Sequence, residues 1–342
     1  MPIPARSNSS RSCPRPRAAR SSASCCATGK RPPSQRRCPA DIGLGSRRLR
    51  QSDPEHRTPV HHASTQASGR LATGVRARNQ PVNIETEDRY LATEYGEVFT
   101  RRWRANAEQV PIILLHDSLG CVELWRDFPE RLAAATRRDV IAYDRLGFGR
   151  SAVHPGGWST RFIGDEAARY FPLVCRGLGV EDFIVFGHSV GGAMAASVAA
   201  HYPGRCRALV TESAMAFVED RTLQGIREAR ALFAEPGQMD RLRPYHGDKA
   251  EWVLAAWVDT WLSDAHAHWT LADSAPLIQC PLLAIHGRED EYGTAAHPQR
   301  IVELSAGSAQ MVLFDGCRHL PHREQPDAVI DVVATFLQAV HC

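Results

Sequence analysis

An α/β fold, with a mostly parallel eight-stranded sheet covered by helices on both faces, is what this sequence predicts. Three observations carry that expectation. Continuous apolar runs of strand length alternate with helical patterns from about Ile84 to the C-terminus. One stretch, 215–273, holds helical patterns and no convincing strand. The first 80 residues have a different composition altogether, that of a disordered tail.

Arg89 to Tyr95 and Glu97 to Trp103 read as two short strands joined at Gly96, an antiparallel opening hairpin. The run Pro111-Ile112-Ile113-Leu114-Leu115 follows, and an unbroken apolar run suits a strand covered on both faces. Asp139 to Tyr143, Phe183 to Phe186, Ala208 to Thr211, Leu282 to Ile285 and Met311 to Phe314 repeat it. Helical patterns lie between them at Val122 to Ala135, Phe162 to Leu178, Val190 to His201, His297 to Ser305 and Pro326 to Val340. Such alternation places parallel strands side by side with the helices crossing both faces. The expected organisation is a sheet domain of 84–214 and 274–342 and a helical insertion of 215–273. The insertion has helical stretches near Leu223 to Phe233 and Ala250 to Leu262, and carries Trp252, Trp257, Trp261 and Trp269.

The net charge of +3 hides an asymmetry. Residues 1–80 hold 15 arginines and Lys30 against Asp41, Asp53 and Glu55, while the remainder is acidic. The tail is rich in Ser, Pro, Gly and Ala, so it buries too little apolar surface to offset the entropy of ordering. It lacks the apolar core of a secretory signal, and no apolar run is long enough for a membrane span. The preferred reading of the tail is upstream sequence translated from an early start codon. The next Met is Met194, so a later start would use a non-Met codon near Val75 or Val82. The rivals are an organelle transit peptide and an arm binding nucleic acid or another anionic surface. The ten cysteines show no C-x-x-C pair with zinc spacing, so neither a metal nor another cofactor is expected. Reduced thiols in the cytoplasm are the default setting.

The chemistry begins at Ile184-Val185-Phe186, which runs into Gly187-His188-Ser189-Val190-Gly191-Gly192 and then an Ala-rich helix. This is G-x-S-x-G between a strand and a helix. A sharp turn there lifts the serine oxygen above the sheet edge, and the glycines leave room where a Cβ would collide. The helix N-terminus favours negative charge developing beside Ser189.

A serine hydroxyl needs a base, and the base needs an acid to fix its tautomer. His319 stands in the loop just past the strand Met311 to Phe314, where such a sheet places its site, with His322 as nearest rival. The acid falls among Glu289, Asp290 and Glu291 after Leu282 to Ile285, or Glu212 after Thr211, and residue type alone does not separate them. The loop His116-Asp117-Ser118-Leu119-Gly120, past the first buried strand, can give one backbone N–H to an oxyanion, and Val190 the other. His116 itself reads equally as a turn residue, and Asp144 to Ser151 as a structural turn.

Together these segments resemble the α/β-hydrolase superfamily, in its cap-bearing, esterase-like branch, over about 84–340. The resemblance rests on His116 to Gly120, Asp144 to Ser151, Gly187 to Gly192, Gly287-x-x-Asp290, and His319 followed by Glu324 and Pro326. It implies Asp290 as the acid, His319 as the base and 215–273 as a cap over the substrate pocket. One departure stands out: the family carries Gly after the loop histidine, where this chain has Asp117. That carboxylate must point away from the oxyanion or find a partner, which makes Ser118 the preferred N–H donor. Ser189 excludes the aspartate nucleophile of haloalkane dehalogenases and epoxide hydrolases.

The expected function is therefore hydrolysis of a carboxylic ester or related acyl bond of a small, partly apolar molecule. His188, Trp252 and Trp257 are the candidate substrate contacts, although tryptophans at helical spacing more often pack a small domain. The same three residues could serve C–C bond or enol-lactone hydrolysis, and a ligand receptor on this fold is a further alternative. Nucleic acid is not an expected partner beyond the basic tail, and oligomeric state is left open.

Overall fold

The computed structural model describes residues 83–105, 108–156 and 159–340. The expectations for the tail lie outside these residues. Eight strands form one sheet in the order β1-β2-β4-β3-β5-β6-β7-β8. They are β1 Glu85–Thr93, β2 Gly96–Arg104, β3 Ile112–Leu115, β4 Val140–Tyr143, β5 Phe183–His188, β6 Cys206–Glu212, β7 Leu282–Gly287 and β8 Ala309–Phe314. β2 pairs antiparallel with both β1 and β4, and every pair from β4 to β8 is parallel. The hairpin turn falls at Glu94 and Tyr95, one residue before the expected Gly96, which opens β2 instead.

β3, β4 and β5 are buried at every position, which is why their sequences show no alternation. On one face Ile112, Leu114, Ile184 and Phe186 meet Trp125, Phe128 and Leu132, together with Val329, Val333 and Phe336 of the last helix, Pro326–Ala339. Each such side chain contributes roughly 1.5–3 kcal/mol on burial. On the other face runs Val190–His201, buried from Val190 to Ala200 among small residues that let it approach the sheet closely.

Two helices differ from the periodic reading. The stretch from Val122 breaks into a 3-10 turn, Val122–Trp125, and a helix, Phe128–Thr136, because Arg126 takes a positive φ of 57°. The long helix from Phe162 contains a π-turn, Glu166–Tyr170, between Phe162–Asp165 and Phe171–Leu178. Between β6 and β7 the chain forms Asp220–Phe233, Arg243–His246 and Ala250–Trp261, and a bridge between Phe217 and Thr270 ties the two ends of the segment. Phe233, Leu242 and Val253 from this segment pack with Leu119 and Phe148 from the loops after β3 and β4. His246 joins the same loops: its Nε2–H donates to the Leu119 carbonyl (3.0 Å) and its Nδ1 accepts from Gly149 N–H (2.9 Å). Among the described residues, no helix is long and apolar enough to cross a membrane.

Candidate active site

The turn after β5 sets the nucleophile candidate. Ser189 has φ 57° and ψ −122°, and the helix starts at the next residue. Its N–H donates to the Glu212 carbonyl on β6 (2.8 Å), which fixes the corner to the neighbouring strand. A Cβ on Gly187 would stand 2.0 Å from the Gly191 carbonyl oxygen, and one on Gly191 would stand 2.2 Å from that of Leu115. Neither position admits a side chain, so strand, turn and helix close only with glycine there.

Ser189, Asp290 and His319 come together at the C-terminal ends of β5, β7 and β8. The His319 Nε2 lies 3.0 Å from Ser189 Oγ. The opposite ring nitrogen, Nδ1, donates to the Asp290 carboxylate at 2.8 and 2.9 Å. Asp290 also accepts the N–H groups of Tyr292 (2.7 Å) and Gly293 (3.2 Å). Burial works against a charged carboxylate, but the His319 charge and these bonds hold Asp290 down at about 2. Burial likewise works against a charged His319, yet Asp290 outweighs it, and with Glu291 and Asp117 lifts the imidazole to about 9.

Hydrogen bonding sorts the acids that residue type could not. Glu289 accepts the Cys317 N–H (2.8 Å), Glu291 pairs with Arg318 (3.1 Å), and only Asp290 reaches the His319 ring. Glu212 takes the rival histidine. Its Oε1 accepts the His322 N–H (2.7 Å), and its Oε2 pairs with His322 Nδ1 (2.6 Å). That ring packs against Trp125, Phe128 and His188 beneath the site. Burial raises Glu212 to about 7 and lowers His322 to about 3. His188, Glu212 and His322 are the one group among the described residues with atoms close enough to share a metal ion. Glu212 is paired with His322, and His188 Nε2 is bonded to the His319 carbonyl.

His188 does not stand where a substrate contact was expected. It is 2 % exposed, it does not line the neighbouring cavity, and its Nε2–H donates to the His319 carbonyl (2.8 Å). Successive strand residues face opposite ways, so the side chain before the nucleophile turns under the site.

Ser118 and Val190 both line a cavity of about 690 Å³ that is partly open to solvent. Val190 is the first residue of its helix, so its N–H has no intrahelical acceptor. The Asp117 side chain folds over Gly120, where a Cβ would meet its Oδ1 at 1.9 Å. Its carbonyl accepts from Arg145 Nη2 (2.8 Å) and from His116 Nδ1–H (2.9 Å). His116 Nε2 accepts the Arg145 N–H (3.1 Å), and burial keeps the ring well below the ordinary imidazole value. His116 therefore ties two loops together.

Trp252 and Trp257 line the cavity, as does Trp261 from the same helix. So do Arg145 and Glu166, which sequence reasoning passed over. The only available signal was the place of Arg145 directly past β4, at the sheet end that carries the site.

The model of the α/β hydrolase fold family matches residues 110–235, which include β3, the Ser189 turn and β6. The chain is 26% identical to the mouse serine hydrolase BPHL over 238 residues, 66% of this chain and 79% of that protein. It is 31% identical to the bovine (lyso)-N-acylphosphatidylethanolamine lipase over 103 residues, spanning only 30% of either chain. The crystal structure of proline iminopeptidase from Mycobacterium smegmatis superposes with a TM-score of 0.56 over 74% of this chain and 98% of that one. At 23% identity that likeness is one of fold. The family model matched over residues 110–235 and the eight-stranded architecture give this chain the α/β-hydrolase fold.

Proposed function

We propose that this hydrolase cleaves a carboxylic ester of a small molecule through an acyl-enzyme on Ser189. The observation that carries the reading is the chain of contacts from Ser189 Oγ to His319 (3.0 Å) and on to Asp290 (2.8 Å). His319 Nε2 takes the Ser189 proton as Oγ attacks the carbonyl carbon. The oxyanion forms against the N–H groups of Val190 and Ser118, each typically worth roughly 3 kcal/mol in the transition state. The imidazolium, held by Asp290, then protonates the leaving alcohol. Water enters, gives its proton to the same nitrogen, and the acid leaves as Ser189 is restored.

In this reading 215–273 is a cap. His246 fastens it to the loops bearing Ser118 and Gly149, and three of its tryptophans, Trp252, Trp257 and Trp261, line the cavity. The free thiols of the described cysteines fit a cytoplasmic setting. Short p-nitrophenyl esters and a fluorophosphonate probe test the mechanism. Ser189→Ala is expected to lose at least about 10³-fold in kcat and all labelling. Undiminished turnover in that variant would overturn the assignment.

A further inference from the structure

The cavity beside the site has walls and a floor of different chemistry. Phe148, Phe162, Tyr170, Trp252, Trp257 and Trp261 form the walls. Arg145 and Glu166 form a polar floor, at 6 % and 4 % exposure.

Neither floor residue is satisfied. Arg145 has no carboxylate within ion-pairing distance among the described residues, and the acceptor of its guanidinium is the Asp117 carbonyl. Its Nε is shut away without an acceptor, whereas its Nη1 has no partner yet still reaches accessible space. Glu166 Oε1 accepts the Tyr143 hydroxyl (2.6 Å), and its Oε2 has no donor and also reaches accessible space. Glu166 opens the π-turn and Tyr170 closes it, so the widened turn presents both residues to the cavity. Such turns are rare and occur frequently at functional sites.

Charge then decides what fits. The floor holds one guanidinium and one carboxylate, and a second carboxylate, Asp165, lies half-buried on the wall with the Ser159 hydroxyl (3.2 Å). An anionic substrate group would face two carboxylates, and an ammonium would face the guanidinium. A neutral hydroxyl does neither: it accepts from Arg145 Nη1 and donates to Glu166 Oε2. The walls call for a flat ring to carry it. Ser118 and Val190, the proposed oxyanion donors, line this cavity whereas neither Ser189 nor His319 does, and the leaving alcohol must depart on the side of His319 to be protonated. The cavity is thus the acyl side.

Resting on the ester-hydrolase reading, we infer that the acyl group is a hydroxylated aromatic one, its ring between the tryptophans and its hydroxyl shared by Arg145 and Glu166. Methyl esters of 3-(4-hydroxyphenyl)propanoate, 3-phenylpropanoate, 3-(4-methoxyphenyl)propanoate and 3-(4-carboxyphenyl)propanoate test this. The hydroxylated ester should exceed the plain one in kcat/KM by roughly tenfold or more, and the methoxy ester, which cannot donate, should lose the advantage. In Glu166→Gln the ratio of hydroxylated to plain ester should fall towards one, whatever the absolute rates. Equal turnover of both by the unaltered enzyme, as when a single water spans Arg145 and Glu166, would overturn the proposal. Preference for the carboxylated ester would do the same. The matching amides, followed by quenching of tryptophan fluorescence, read the floor without hydrolysis. Hydroxyl-selective amide binding without Ser189-dependent turnover would sink the hydrolase reading and leave the floor standing. Turnover of plain esters with unselective amide binding would sink the floor alone.

Discussion

His188 holds the main-chain carbonyl of His319 at 2.8 Å, from a position 131 residues earlier on the strand that ends at the Ser189 turn. The residue beside the nucleophile thereby sets the height of the base above it. Replacing His188 with Ala is expected to lower kcat by roughly tenfold with KM nearly unchanged, since small errors in placement cost rate rather than affinity. Steady-state kinetics on a short ester check this, and a rise in KM at constant kcat would return His188 to the substrate contacts.

The pH profile follows from Asp290. A base must be neutral to act, and His319 is raised to about 9. The ratio kcat/KM is therefore expected to climb with pH through the neutral range and level off only in the alkaline one. In Asp290→Asn the raising charge is gone, so the limb should move down toward an ordinary imidazole while the rate falls. A limb that stays in place would show that Asp290 is not what raises the base.

Glu212 gives a stability prediction whose sign is fixed by its shift. Its carboxyl is raised to about 7 in the fold, above the ordinary value of 4.5. Its contribution to stability is present below about 4.5 and is lost as pH rises through 7. The wild type should therefore lose thermal stability relative to Glu212→Gln between pH 5 and pH 8. Parallel Tm curves across that range would contradict the assignment.

The Ser189 backbone lies where residues with a Cβ are strained. Ser189→Gly should be more stable than Ser189→Ala by about 1 kcal/mol, although both lose the hydroxyl. Denaturant melts of the two variants compare them directly, and equal midpoints would mean the turn stores no strain.

Much of the fold was legible because the buried parallel strands are written as unbroken apolar runs. The order of strands and helices followed from that alone. The break at Arg126 was not legible, since it depends on one residue's positive φ inside an otherwise helical pattern. At the site, Ser189 could be read from its own neighbours. Asp290 could not, because Glu289 and Glu291 are chemically equivalent until Cys317 and Arg318 arrive from a distant loop to engage them. The Arg145–Glu166 floor was invisible for the same reason: 21 positions and a helix separate two residues that matter only as neighbours of one cavity.

The π-turn at Glu166–Tyr170 also bears on how the protein would respond to shortening. It gives the helix one residue more than regular α geometry would use over the same rise. Deleting a single residue there would let the helix relax to an even pitch while Phe162–Asp165 and Phe171–Leu178 kept their places on either side of it. Glu166 and Tyr170 would lose the widened turn that presents them to the cavity while the nucleophile corner stayed whole. Sequences one residue shorter at this point would keep the hydrolytic machinery and accept a different set of molecules.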